Sequence, residues 1–168
     1  MIRVLFILLS FLFFQVFLFN SIEPGYGVYI MVYPLAIVLL PFKIKPILLF
    51  LICFLFGFSI DFFSNTFGLH SSALIMAGLA RVFIFNFLSP RDGYEAISHP
   101  SIGRLGAQWA FASFSFILFI HHFWFFLIEF FKFSEFFSVL QSTFLSFIFS
   151  FLACFTIYIL FLHKKNER

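Results

Sequence analysis

Six ionisable side chains interrupt long apolar stretches of this sequence and are its first candidates for chemistry: Asp61, His70, Arg81, His121, His122 and Glu129. An ionisable group at membrane depth is costly unless it is paired or hydrated, so each is a candidate functional residue. The rise of an α-helix places all of them except Arg81 towards one side of an apolar bundle. We therefore predict an outer polar cluster that serves docking or ligand sensing. The alternative is that each group reaches the interface or satisfies a neighbouring helix.

A metal site and an active site both lack candidate residues. Side chains adjacent on a helix, such as His121 and His122, point about 100° apart and cannot share one face. Cys53 and Cys154 lie in apolar runs without a neighbouring His or Cys, as buried hydrophobic residues do. No P-loop, nucleophile elbow, H-E-x-x-H or nucleic-acid signature is present. We predict no metal, no cofactor, no nucleic-acid partner and no enzyme activity.

Arg81 lies within the predicted fourth span, on its half nearer the cytoplasm. An arginine at that depth must pair, reach water or snorkel to the interface. Two interpretations stay open: a structural pairing within the bundle, and a contact that matters to a partner.

The composition shows what surrounds these residues. Hydrophobic residues make up 63% of the 168, charged residues 10%, and there are 35 phenylalanines. A soluble domain carries about 25% charged residues on its surface. A chain with so few needs lipid around it, which predicts an all-α polytopic membrane protein. Compositional bias explains the phenylalanines, because Phe and Leu serve alike as apolar filler in lipid.

Six apolar runs predict six transmembrane helices in one transmembrane domain, residues 1–168. The predicted spans are 4–22, 26–40, 47–63, 68–88, 106–131 and 136–162. The second is short, and we expect Pro34 to kink it. The first run resembles a signal peptide, but no cleavage site of small residues follows it, so we expect a retained helix.

Charge placement predicts the orientation. With the N-terminus inside, the cytoplasmic segments hold Arg3, Lys43, Lys45, Arg91, Arg104, Lys164, Lys165 and Arg168. The opposite side holds Lys132 and the acids Glu23, Asp61, Glu129 and Glu135. Because basic residues remain in the cytoplasm, we predict that both termini lie inside. The segment 89–104 is then the longest cytoplasmic loop, and it is either a connector or a partner-binding surface.

Residues 57–95 carry a pattern that resembles a known family. The segments GFSIDFFSNTFGLHSSALIMAGLAR (57–81) and SPRDGYE (89–95) resemble the rod shape-determining protein MreD family, and HHFWFFLIEFF (121–131) extends the likeness. The matching motif positions are Gly57, Asp61, Gly68 and His70. Arg81 and the loop residues Arg91, Asp92, Gly93 and Glu95 match one branch of the family.

The resemblance implies a function without catalysis in the bacterial cytoplasmic (inner) membrane. Members of this family are scaffold subunits of the cell-wall elongation machinery. They associate with the bitopic protein MreC and link the actin-like filament MreB to the synthases that build periplasmic peptidoglycan. The implied fold is similar to the six-helix substrate-binding subunits of energy-coupling vitamin transporters. Whether such a chain forms homo-oligomers does not follow from the resemblance.

Elementary stereochemistry suggests a role for each motif position. Gly57 would permit close helix approach. Asp61 and His70 flank a short turn and could pin it by a charge-assisted hydrogen bond. Gly68 would let that turn enter the next helix without a Cβ clash.

Two other functions are consistent with the composition. A transporter's substrate-capture subunit carries small residues on its first helix, often as Ala-x-x-x-Ala, whereas residues 4–19 contain no Ala or Gly. A lipid-modifying membrane enzyme would need a nucleophile or a metal set that is not recognisable here.

Overall fold

The computed structural model describes residues 2–22, 25, 27–91, 93–94, 99–100 and 102–158. Within these ranges the chain is helical and contains no β-strand. Five helices are long and apolar enough to cross a membrane: Ile2–Ser21, Pro46–Ser64, Leu69–Phe87, Ala107–Phe130 and Phe136–Ile157. The all-α class is confirmed for these residues, and the five apolar helices are consistent with the predicted multi-pass membrane protein.

The first helix changes its winding near its end. We call Ile2–Phe13 α1; it continues through a π-helical turn, Phe14–Leu18, and a 3₁₀ turn, Phe19–Ser21. A π-helical turn widens the helix locally and often occurs at functional sites. Gln15 lies in this turn and is buried.

The predicted second span, 26–40, is wrong as a helix. Residues 28–32 are not helical, and a short helix, α2, covers only Pro34–Val38. Pro34 occupies the first turn of α2, where its missing N–H costs nothing, so it begins a helix instead of kinking a longer one. We call residues 28–40 the inner segment. Most of it is buried, and Val32, Tyr33, Ala36, Ile37 and Leu40 are inaccessible to solvent.

Four further helices enclose the inner segment together with α1. They are α3, Pro46–Ser64; α4, Leu69–Phe87; α6, Ala107–Phe130; and α7, Phe136–Ile157. A one-turn helix, α5 (Ile102–Leu105), precedes α6, and a 3₁₀ turn, Phe133–Glu135, precedes α7. Helix α4 packs against both α3 and α6, α7 packs against α6, and α2 contacts α4 and α6. The outward faces of α1 and α3 are rich in exposed Phe and Leu, as expected for surfaces in lipid.

The two ends of the bundle differ in charge. Asn20 Nδ2 donates to Ser64 Oγ over 2.8 Å, so α1 and α3 finish at the same end. We call this the acidic end, because Asp61, Glu129 and Glu135 lie near it. The basic end holds Arg3, Lys43, Lys45, Arg91 and Arg104.

Candidate functional site

The polar side chains inside the bundle hydrogen-bond the backbone of the inner segment. Backbone outside a helix has N–H and C=O groups without regular partners, and lipid offers none. Val32 N donates to Gln15 Oε1 over 2.9 Å, and Gln15 Nε2 donates to the Ile30 carbonyl over 3.1 Å. The π-helical turn of the first helix thus supplies both partners through one amide.

Helix α7 supplies the next partners through serines four residues apart. Tyr29 N donates to Ser146 Oγ over 3.0 Å, and Met31 N donates to Ser150 Oγ over 2.8 Å. His122 of α6 completes this contact, with Nε2 3.0 Å from Ser150 Oγ and Nδ1 2.9 Å from the Leu118 carbonyl. Because a carbonyl only accepts, Nδ1 carries the proton in the neutral ring, and Nε2 accepts from Ser150. His122 therefore contacts the inner segment indirectly, by orienting Ser150, which accepts from Met31 N.

Tyr33 lies at the centre of a buried His–Tyr–His group. Its hydroxyl is 2.7 Å from His70 Nδ1 and 2.8 Å from His121 Nε2. A hydroxyl has one hydrogen to donate, so at least one ring must donate to it. Its own hydrogen goes to the other ring in preference to Met31 Sδ, a weak acceptor 3.7 Å away. His121 Nδ1 is buried without a partner, and a buried orphan acceptor is less costly than an orphan N–H. His121 Nε2–H therefore donates to Tyr33, and Tyr33 donates to His70 Nδ1.

Asp61 holds the turn between α3 and α4. Its Oδ1 accepts from Thr66 Oγ1 over 2.6 Å and from His70 N over 3.0 Å. Its Oδ2 accepts from Ser71 N over 2.9 Å and from the Ser71 hydroxyl. The two N–H groups belong to the first turn of α4, where backbone donors have no helical partner. Asp61 pins the turn as predicted, but through the backbone of His70, because the imidazole is turned towards Tyr33.

The two motif glycines act in different ways. A Cβ added at Gly57 would lie 2.8 Å from both the His70 carbonyl oxygen and Ser71 N, and would collide with Ser71 Cα. The predicted close approach of α3 to its neighbour is confirmed. Gly68 has φ +86° and nothing within 4 Å of an added Cβ. Glycine is therefore favoured at this position because the backbone is left-handed, and not because a neighbouring atom would clash with a Cβ.

Arg81 pairs within the bundle, one of the two interpretations that its position left open. Its Nη2 donates to the carbonyls of Leu40 and Pro41 over 2.8 and 3.0 Å, and its guanidinium stacks 4.5 Å from the Phe85 ring centre. These carbonyls follow the end of α2, where a cation is favoured. Arg81 thus anchors the end of the inner segment nearer the basic end.

The predicted outer polar cluster forms as separate groups. His70 and His121 meet through Tyr33, while His122 is turned towards Ser150. Glu129 hydrogen-bonds the side chain of Tyr29. Within the described contacts it does not join the histidines, so the predicted cluster is divided.

A pocket of about 360 Å³ lies at the acidic end, and we call it the acidic-end pocket. Its polar lining residues are Gln15, Asn20, Tyr29, Ser64, Thr66, His70 and Glu129, and its apolar ones include Phe19, Phe63 and Phe125. A second cavity of about 170 Å³ lies nearer the basic end and is lined mainly by apolar residues of α6 and α7.

The predicted partner loop is anchored by an aromatic cluster. Tyr94 stacks on Phe42 with ring centres 4.1 Å apart, donates to the Phe85 carbonyl over 2.8 Å, and accepts from Trp109 Nε1 over 3.0 Å. Burial raises the pKa of Tyr94, although the Trp109 N–H and Arg81 oppose the shift.

The other predicted residues of this loop are Arg91, Asp92, Gly93 and Glu95. Arg91 is exposed, and Gly93 has φ +65°. Asp92 and Glu95 lie outside the described residues. Burial and the positive charge of Arg3 lower the pKa of His99.

Sequence reasoning missed Gln15, Tyr33, Ser146 and Ser150. Two signals were present: Gln15 is the single amide within residues 4–19, and serines recur at 142, 146 and 150, on one helix face. Tyr33 carried no signal, because a tyrosine before a proline is common in turns and at interfaces.

No protein-family model matches the chain, and no curated protein or solved structure matches it. In the part of the chain that the structure describes, no three His, Cys, Asp or Glu side chains are grouped so that they could hold a metal ion.

Proposed function

We propose that this protein is a non-catalytic membrane scaffold subunit of the bacterial cell-wall elongation machinery, as its resemblance to the MreD family implies. One observation supports the proposal: three residues of that resemblance have structural roles within the bundle. Gly57 lets two helices touch, Asp61 ties the turn to α4, and Arg81 holds the end of the inner segment. A protein whose buried charged residues stabilise its own fold is suited to present a fixed surface to a partner.

The proposed topology has six crossings, with both termini in the cytoplasm of the inner membrane. The inner segment supports the sixth crossing. Tyr33 is level with His70 at the start of α4, and Leu40 is level with Arg81, eleven residues and about 16 Å further along that helix. The segment therefore passes from the acidic towards the basic end. The charge difference between the two ends favours a cytoplasmic basic end.

The proposed direct partner is the bitopic protein MreC. MreB and the elongation synthases would be linked to this protein indirectly, through MreC. Membrane lipid would surround the helices. Co-expression of tagged protein with MreC, followed by purification in mild detergent, tests this. We expect MreC to be retained, and Asp61→Asn and Arg81→Met to weaken the association because they loosen the surface that is presented.

A matched control makes this experiment specific. Glu135→Gln also removes a carboxylate, but Glu135 is exposed and accepts only from Ser138 within the described contacts. We expect it to retain MreC. Equal retention by all three variants, each verified as monodisperse, would contradict the assignment of Asp61 and Arg81.

One observation favours a second function, substrate capture for an energy-coupled transporter. The acidic-end pocket has a volume within the range of ligand sites, about 300–1,000 Å³. Against this function, residues 4–19 lack the small residues with which such subunits dock their coupling partner. Neighbouring genes for coupling ATPases, and a vitamin retained through purification, would favour transport; neighbouring wall-elongation genes would favour the scaffold.

A further inference from the structure

We propose that the acidic-end pocket binds a small organic cation, with the Glu129 carboxylate and the aromatic rings of the lining as its recognition elements. The inference concerns the pocket itself and is tested without any protein partner. It adds a ligand class to the site whichever of the two functions above is correct.

The first step of the argument is the distribution of charge in the lining. Among the lining residues that the structure describes, Glu129 is the single Asp, Glu, Lys or Arg side chain. An anionic ligand would therefore meet a carboxylate and no Lys or Arg among these residues. A cationic ligand would neutralise a half-buried carboxylate that otherwise carries its charge at the margin of the membrane core.

The second step is the hydrogen-bonding capacity that remains. Gln15 and Asn20 are already hydrogen-bonded to each other. Gln15 also bonds the backbone of Ile30 and Val32, and Asn20 also bonds Ser64. Thr66 donates to Asp61. A carboxylate has about four acceptor sites, and within the described contacts Glu129 receives one bond, from the side chain of Tyr29. Acceptor sites on Glu129 therefore remain for a donor on a ligand.

The third step is the apolar part of the lining. Phe19, Tyr29, Phe63 and Phe125 contribute four rings to one pocket. Ring faces attract ammonium groups, and aromatic cages bind quaternary ammonium ligands in this way. Rings alone would suit a neutral apolar ligand, and a carboxylate alone would suit a hydrated metal ion. Their combination selects an organic ammonium.

The test uses choline and its neutral tert-butyl analogue, which has the same shape without the charge. Both are titrated calorimetrically into the purified protein in detergent. We expect choline to bind about tenfold more tightly than the analogue, from the charge and the cation–π contacts together. The Phe63→Leu variant, which keeps a branched apolar side chain but loses the ring, should weaken choline binding about threefold.

Two glutamate variants locate the effect. Glu129→Gln should remove the preference for choline over the analogue, and Glu135→Gln, the same change outside the pocket, should retain it. Thermal unfolding of each variant shows whether it is folded. If Glu129→Gln does not fold, the comparison of choline with the analogue on the natural protein still decides the matter.

Three results would overturn the proposal: no choline binding by the natural protein, equal binding of choline and the neutral analogue, or an undiminished preference in folded Glu129→Gln. These outcomes are independent of the scaffold, since MreC retention by the tagged protein is measured separately.

Discussion

Substituting Gly57 by alanine should separate α3 from α4 where the two helices are closest. The added methyl would lie 2.8 Å from the His70 carbonyl oxygen and from Ser71 N, both backbone atoms. Relief to an ordinary contact of about 3.4 Å requires a shift of at least about 0.6 Å, because Ser71 Cα lies closer still, and forced shifts of this kind cost about 1–3 kcal/mol. The same backbone carries the Asp61 hydrogen bonds, which adds about 1 kcal/mol.

The gain in helix propensity opposes this cost by about 1 kcal/mol. The net loss in the free energy of unfolding is about 2 kcal/mol, which corresponds to a lowering of the Tm by about 4–8 °C for a chain of this size. Thermal unfolding of the detergent-solubilised protein measures it.

Gly78→Ala is the matched control in α4. A Cβ there meets Cys53 Sγ at 2.8 Å, the end of a side chain, and its next neighbours are Phe50 ring carbons at 3.6 and 3.7 Å. Because a side chain can turn aside where a backbone cannot, we expect a change within about 1 kcal/mol. A Gly57→Ala protein as stable as the natural one, or as Gly78→Ala, would refute the reasoning about the helix contact.

Three other changes test the remaining supports of the fold. Asp61→Asn leaves one α4 N–H without an acceptor and should reduce the free energy of unfolding by about 2 kcal/mol, measured by denaturant titration; stability equal to that of Glu135→Gln would contradict this. Tyr33→Phe removes the hydrogen-bonded link between His70 and His121, and the same titration should show that the free energy of unfolding falls by about 2 kcal/mol. An unchanged free energy of unfolding would contradict these hydrogen bonds. Arg81→Met leaves the carbonyls at the end of the inner segment unpaired; amide exchange of residues 39–44 should accelerate about tenfold, and unchanged protection would argue against the anchor.

The helices that cross the bundle could be predicted from apolar run length alone. The predicted spans 47–63, 68–88 and 106–131 differ by one residue at each end from Pro46–Ser64, Leu69–Phe87 and Ala107–Phe130. Pro46, Asn65 and Gly68 mark these boundaries because proline begins helices and left-handed residues end or precede them. Run length and local punctuation are properties of the sequence itself, so they transfer to the structure.

The inner segment could not be predicted in this way. Residues 26–40 are as apolar as a helix in lipid, and hydropathy does not distinguish a helix from buried extended backbone. What decides between them is a set of side chains far along the chain: Ser146 and Ser150 lie 117 and 119 residues from the N–H groups that they accept. Without knowledge of which helices are neighbours, their role is invisible.

The candidate site divides along the same line. Asp61 bonds residues nine and ten positions away, within one hairpin, and its role in pinning the turn was accessible from spacing. His70 and His121 were recognised as important by depth, but their connection needs Tyr33 from a third element. The aromatic cluster that anchors the loop 89–104 likewise joins Phe42, Tyr94 and Trp109 from separate parts of the chain.

The most direct test of the scaffold is quantitative mass spectrometry of what remains bound to the protein when it is tagged at native expression level and extracted gently from bacterial membranes. Our account predicts that a single-span wall-elongation protein is enriched with it in near-stoichiometric amount, and that the enrichment falls in Gly57→Ala. Enrichment of a coupling ATPase in its place, or of no membrane partner at all, would contradict it.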